Sequence, residues 1–435
     1  MSIIKIKNFG PLGENSETDD GLFTVKFSPV TVFIGYQASG KSTIAKLFSI
    51  FTWLEKKIFC GDILNSYVNI GLFRNSLIRQ EISEYLTTDT KIVYIGERYN
   101  FEYEKNFFKV ITNNETLEKN YILPKIQYVS SARNLLTILY KIGNHAIIDQ
   151  KGSIIESVEY IPYMVRNLNE EYIKALLQLT DTGFELPIHG TKVFHKEHFT
   201  FIKTKDKKIS MSATSSGIQS IVPLLIVSSF LSKEVQKSLF EKIQSVSSNL
   251  KKRIENNIRE TKNDKLLEIF DIYQIGGEES LDANFSQYNM NSVNQLDNIL
   301  KKFLPSCFIN IVEEPEQNLF PQTQVDILYE LLKYKNENEN NKLIISTHSP
   351  YILTALNNAI LAKDIIDKQK QTIEELPKNK MISFEDVSAY KLENGNIISI
   401  RNEENRMIDA YQIDDCSTEI NEIFEKLMEL KNNEQ

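Results

Sequence analysis

Near the N-terminus the run Gly35-Tyr36-Gln37-Ala38-Ser39-Gly40-Lys41-Ser42 has the spacing G-x-x-x-x-G-K-[ST]. Two glycines let a backbone curl until successive N–H groups point inward at phosphate oxygens, and a helix that follows adds its positive end. In this pattern Lys41 reaches the β- and γ-phosphates of a nucleotide, and Ser42 offers a hydroxyl to Mg²⁺. Gln37, Ala38, Ser39 and Thr43 complete the cradle. By itself the loop specifies only nucleoside triphosphate binding.

Three further groups come later, in a fixed order. Ser215-Ser216-Gly217-Ile218-Gln219 precedes an apolar stretch, Ile218 to Leu231. There the Ser216 hydroxyl, the Gly217 amide and a helix N-terminus together suit an anion. Alone, this segment is also an ordinary helix N-cap. Phe308-Ile309-Asn310-Ile311-Val312 runs into Glu313-Glu314-Pro315-Glu316. A strand lying beside the phosphate loop would bring Glu313 to the metal and Glu314 to the attacking water. Lys342-Leu343-Ile344-Ile345-Ser346-Thr347-His348 is a second apolar run, ending in an imidazole able to bond the γ-phosphate.

The elements that must position these groups are legible from periodicity. Ile3 to Phe9, Leu22 to Phe27 and Val30 to Ile34 read as strands leading into the loop, and Ser42 to Leu54 as the helix after it. Asp62 to Leu86 reads as a second helix. Strands follow at Lys91 to Ile95, Phe101 to Tyr103, Phe107 to Ile111 and Lys125 to Val129. The last opens onto Ser130-Ser131-Ala132-Arg133-Asn134 and a helix from Leu135 to Ile142. Asn167 to Leu179 reads as helix, and Phe199 to Lys203 with Ile209 to Ser212 as a hairpin. In the final section the reading is a strand pair, Val387 to Leu392 with Ile397 to Arg401, and a helix from Ser417 to Leu430.

Composition narrows the class. The chain has 435 residues, 41% hydrophobic and 25% charged, and a formal charge of −8, the profile of a globular protein with no global attraction to nucleic acid. Cys60, Cys307 and Cys416 form no C-x-x-C, which argues against a disulfide framework and a structural zinc. The start has no apolar signal core, and no apolar run approaches the roughly 18 residues of a membrane span. A cytoplasmic, membrane-free protein is therefore expected.

Taken in order, the phosphate loop, S-S-G-x-Q, Glu-Glu-Pro-Glu-x-x-Leu-x-Pro and Ser-Thr-His-Ser-Pro resemble the ABC-type ATPases. The branch most resembled is the SMC-like, OLD-type AAA ATPases found in bacterial phage-defence systems such as those of PARIS or Septu type. Ile-Lys-Asn-Phe-Gly-Pro-Leu at the start is similar to that branch's first strand, and Tyr128 to Asn134 to its Pro-Ala-Glu-Arg-like segment. The resemblance implies an α/β fold: a P-loop NTPase head of ABC type with an N-terminal antiparallel β subdomain and a helical insertion. It implies Mg-ATP as ligand, and a head-to-tail oligomer in which Ser216, Gly217 and Gln219 complete the neighbour's site. Glu313 stands where many such ATPases carry aspartate. No Q-loop glutamine is apparent, because Gln127 lies inside a strand, and Arg133 is expected to face the nucleotide instead.

About 90 residues separate Gln219 from Phe308, too many for the bare signature helix of a transporter subunit. The expected organisation is a discontinuous head, 1–231 and 304–435, with a helical insertion at 232–303. The insertion's basic cluster (Lys251, Lys252, Arg253, Arg259, Lys262, Lys265) is mixed with acids and reads more simply as a solvated face than as a DNA surface. After His348 no D-x-D pair occurs, and Asp414 and Asp415 are adjacent, so the acidic trio of a Toprim nuclease is missing. A separate effector, such as a nuclease, is expected to act with the ATPase. Two alternatives stay open: a DNA-maintenance ATPase of SMC or recombination-repair type acting on DNA directly, and a nucleotide-sensing scaffold with little turnover.

Overall fold

The computed structural model describes residues 1–112, 121–137, 162–188, 190–197, 199–205, 207–275, 290–370, 373–409 and 422–428. An antiparallel sheet forms from β1 (Ser2–Phe9), β2 (Phe23–Phe27), β4 (Leu86–Ile95), β5 (Tyr99–Glu104) and β6 (Phe107–Thr112), in the order β2-β1-β4-β5-β6; β3 (Val30–Gly35) leaves it for the central sheet. The central sheet adds β7 (Pro124–Val129), which pairs with a later strand. Four short strands, β8 (Phe184–Glu185), β9 (Lys192–Lys196), β10 (Phe199–Lys203) and β11 (Lys208–Ser210), make a separate antiparallel sheet. Then β12 (Cys307–Glu313), β13 (Lys342–Thr347), β14 (Val387–Glu393) and β15 (Asn396–Ser399) complete the central sheet, in the order β15-β14-β3-β13-β12-β7.

Five neighbouring strands of that sheet are parallel and only β15 is antiparallel. Parallel strands covered on both faces read as continuous apolar runs, and β12 is buried at every position. Alternate residues serve opposite faces. Val30, Val32, Ile345 and Val312 pack with the helices Tyr163–Leu177, Ser216–Glu234, Pro321–Asn336 and Pro350–Gln369. Phe33, Ile344 and Ile311 face the helix Lys41–Phe59, which lies between the parallel and antiparallel sheets. Phe48 of that helix stacks on Phe27 at 3.9 Å, and Phe51 on Tyr94 at 5.0 Å, so aromatic contacts clamp it in place. A third core, from Ile243 to Leu304, is built by the helices Leu239–Ser245, Ser248–Glu260, Asp264–Ile275 and Met290–Leu300.

Several expectations need correction. Asp62 to Leu86 is not one helix: the α-helix covers Ile70–Arg79, where the Asn69 side chain caps the Leu72 N–H, and β4 already begins at Leu86. Ser131–Leu135 is a 3-10 turn, and the rest of the expected Leu135 to Ile142 helix falls outside the described residues beyond position 137. Two long helices went unread, each opening with a proline at its first position, Pro321 and Pro350, a start signal that the sequence displays. Cys416, Asp414 and Asp415 lie outside the described residues; of the expected Ser417 to Leu430 helix, 422–428 is helical and the rest lies outside them. Among the described residues the helix Ser216–Glu234 is long and apolar enough to cross a membrane, and it is largely buried inside the protein.

Candidate nucleotide site

The site forms where the parallel strands end. Strand β3 delivers Gly35, whose φ of +153° and position matter: a Cβ there would fall 2.1 Å from the Leu392 carbonyl oxygen. Gly40, at φ +103°, caps the helix that starts at Lys41, and a side chain there would press on Leu12 at 2.8 Å. Both positions therefore require glycine. Ala38 also takes a positive φ, 60°, so the loop is held in a curled form.

Around the loop is a cavity of about 520 Å³ lined by Gln37, Ala38, Ser39, Gly40, Lys41, Ser42 and Thr43, with Glu314, Ser346 and His348 opposite and Gly10, Pro11 and Tyr85 at the side. Five sequence-distant segments thus meet on one space. Lys41 Nζ donates to the Gly35 and Tyr36 carbonyls at 2.9 and 2.7 Å, and lies 3.5 Å from His348 Nδ1. Burial pushes its ammonium down to about 8, against the pull of Glu314, Glu316 and Glu313, which favour the charge. Burial also lowers His348, with Lys41 adding to the effect and Glu314 opposing it. His348 Nε2 stands 3.8 Å from Glu314 Oε1.

Glu314 sits at φ +44°, a left-handed conformation unusual for a residue with a Cβ. Its N–H donates to the Ser346 carbonyl at 2.7 Å, which ties the end of β12 to the end of β13. The effect is to turn Glu314 into the cavity and its predecessor away. Glu313, expected to hold the metal directly or through its water, is buried; Tyr128 donates its hydroxyl to Oε1 at 2.6 Å and the Ser131 N–H donates to Oε2 at 3.0 Å. Each carboxylate oxygen accepts one hydrogen bond, and Glu313 does not line the cavity, although its charge is felt by Lys41.

Ser346 was missed as a site residue although it stands inside Ser-Thr-His-Ser-Pro. Its hydroxyl is buried without a hydrogen-bond partner and its residue lines the cavity. With the Ser42 hydroxyl it gives hard oxygen donors of the kind Mg²⁺ takes. Glu316 was also passed over: Oε1 accepts the His348 backbone N–H at 2.7 Å, Oε2 is buried without a partner, and burial raises its pKa. Among the described residues there is no cluster of three or more His, Cys, Asp or Glu suited to a metal.

Arg133 is likewise not a nucleotide contact. It is fully buried, and its guanidinium donates to the backbone carbonyls of Ser130, Ser220, Glu313 and Glu314. The signature segment lies elsewhere again. Ser215 caps the helix by accepting from the Ile218 N–H, Ser216 is exposed, and Gln219 Nε2 donates to the Thr214 carbonyl at 3.0 Å. A Cβ on Gly217 would sit 2.6 Å from the Asn318 carbonyl oxygen, so the helix start is pressed against the turn that carries Glu314. None of Ser216, Gly217 and Gln219 lines the phosphate-loop cavity of its own chain.

No protein-family model and no curated protein matches the chain. Solved structures do. An SMC head bound to the C-winged helix domain of ScpA aligns over 93% of this chain and 99% of its own at 10% identity and a TM-score of 0.38. A dimeric ATP-binding cassette in a post-hydrolysis state with ADP and Pi covers 92% and 99% at 12% identity and 0.29. An ATP-binding cassette of an ABC transporter in its ADP conformation covers 93% of each chain at 14% identity and 0.26. These are likenesses in the run of the chain, and the chemistry of the site stands on the geometry above.

Proposed function

We propose that the chain is an ABC-type ATPase that binds Mg-ATP at the Gly35–Thr43 loop, hydrolyses it slowly, and assembles head to tail around the nucleotide to control a separate effector. The observation that carries this reading is the convergence of Lys41, Glu314, Ser346 and His348 on one cavity at the ends of β3, β12 and β13.

Each group then has a task. The loop amides and Lys41 hold the phosphates, with the ammonium exchanging its bonds to the Gly35 and Tyr36 carbonyls for phosphate oxygens. Glu314 accepts a proton from the attacking water, and His348, beside both Lys41 and Glu314, bonds the γ-phosphate side of the cavity. When bound, Mg²⁺ would neutralise charge on the phosphates, and the Ser42 and Ser346 hydroxyls lining the cavity would hold it, leaving Glu314 free as the base. Ser216, exposed at a helix start and remote from its own loop, is suited to a neighbour's nucleotide.

A role in anti-phage defence, with a separate effector such as a nuclease, is supported by the sequence resemblance. The enzymatic core of the proposal is tested with purified Glu314→Gln. Removing a general base costs about 100-fold or more in turnover while leaving ATP affinity close to wild type. Turnover in the variant equal to wild type would remove Glu314 from the base role.

A further inference from the structure

The residue expected at the nucleotide does something different. Arg133 follows β7 on a 3-10 turn, has no exposed surface, and spreads its donors over three segments. Nε donates to the Ser220 carbonyl at 3.1 Å, Nη1 to those of Glu313 and Ser130 at 2.6 and 3.3 Å, and Nη2 to that of Glu314 at 2.6 Å. Ser220 is in the first turns of the helix that begins at Ser216, and Glu313 and Glu314 form the turn that carries the base.

Among the described residues no carboxylate accepts from this guanidinium, and every acceptor is a main-chain oxygen. A planar fork with five N–H groups fixes several backbone positions at once, which a single ammonium cannot do. Two further contacts join the same segments. Ser220 Oγ donates to Gln317 Oε1 at 3.2 Å, and Gly217 packs on the Asn318 carbonyl. Helix start and acidic turn are therefore one bonded unit, with Ser216 exposed at one end and Glu314 facing the cavity at the other.

We propose that Arg133 is a positioning residue that couples the exposed Ser216 end of this helix to the Glu314 turn, so that engagement of Ser216 by a neighbouring subunit sets the placement of the base in its own subunit. The inference rests on the ATPase reading for its consequence, and on the hydrogen-bond network alone for its structural content. It assigns the chain a route by which assembly regulates hydrolysis.

The experiment compares wild type, Arg133→Lys and Gln317→Leu, the last breaking the parallel link without burying an unpaired charge. Two readouts are taken on the full chain: backbone amide exchange across residues 216–220 and 314–319, and steady-state hydrolysis resolved into kcat and KM. Coupling predicts that Arg133→Lys speeds exchange in both segments together and lowers kcat by about 30-fold, with KM changed no more than about threefold, because backbone anchors are lost and phosphate contacts are not. The double variant should then lose much less than the product of the two single losses. Faster exchange confined to 314–319, or kcat unchanged in Arg133→Lys, overturns the proposal. If the wild-type chain hydrolyses no ATP, the ATPase reading fails, while the exchange data still decide whether the two segments are coupled.

Discussion

Two helices of this chain are each 19 residues long, and each opens at a glycine-containing segment that the sequence marks as an anion site. The helix from Lys41 begins inside a cavity walled by groups from four other parts of the chain. The helix from Ser216 begins at an exposed serine that does not line this cavity. The same local chemistry thus lies within a walled cavity in one place and at an exposed helix start, proposed as a half-site, in the other. What differs is what converges there: residues at the ends of β12 and β13 line the cavity at Lys41, while Ser216 is exposed and outside that cavity. A helix N-terminus is a modest electrostatic device, worth about 1 kcal/mol when exposed, and it becomes a binding site only when other donors converge with it.

The comparison breaks first at Lys41. Lys41→Ala removes a charge-assisted contact at the complete site and should weaken ATP binding by about 100-fold, measured by titration with a fluorescent ATP analogue. A loss below about threefold would mean that the cavity is not the phosphate site. At the half-site the expectation differs in kind. Ser216→Glu places a carboxylate where a phosphate is proposed to dock, so kcat should fall about tenfold or more at high protein concentration while ATP binding to dilute, monomeric protein is unchanged. Equal damage to binding and turnover at every concentration would mean that Ser216 acts within its own chain.

A smaller effect sharpens the first site. Burial holds the Lys41 ammonium down at about 8, below its ordinary 10.5, so the charged form that phosphate requires is lost as pH rises through that value. ATP affinity should be flat below pH 7 and fall about three- to tenfold between pH 8 and pH 9, and Lys41→Arg should flatten that fall because guanidinium stays charged. Isothermal titration across this range checks it; a flat wild-type profile contradicts the assignment.

Much of this was legible in the sequence because the informative features are local. The phosphate loop is set by glycine geometry, and the central strands by apolar runs such as Cys307–Glu313, buried at every position. What was not legible depends on direction rather than type. Glu313 and Glu314 are adjacent carboxylates, and no pattern says which one faces the loop; the φ of +44° at Glu314 and the Tyr128 hydroxyl decide it. Arg133 looks from sequence like any cation after a strand, and its role appears only once Ser220, Glu313 and Glu314 are brought within reach of one guanidinium. Ser346 is an unremarked hydroxyl in a motif until it is found buried, unpaired and beside the loop.

The central claim is that one catalytic site needs Lys41 from one subunit and Ser216 from another. The direct measurement mixes Lys41→Ala chains, which keep Ser216, with Ser216→Glu chains, which keep Lys41, and follows phosphate release as the ratio varies. Head-to-tail assembly predicts that two nearly inactive proteins regain activity on mixing, with a maximum near equal proportions and up to about half of wild-type turnover per mixed dimer. Activity that stays at the sum of the separate proteins at every ratio, together with wild-type turnover per chain independent of concentration, would contradict a shared site.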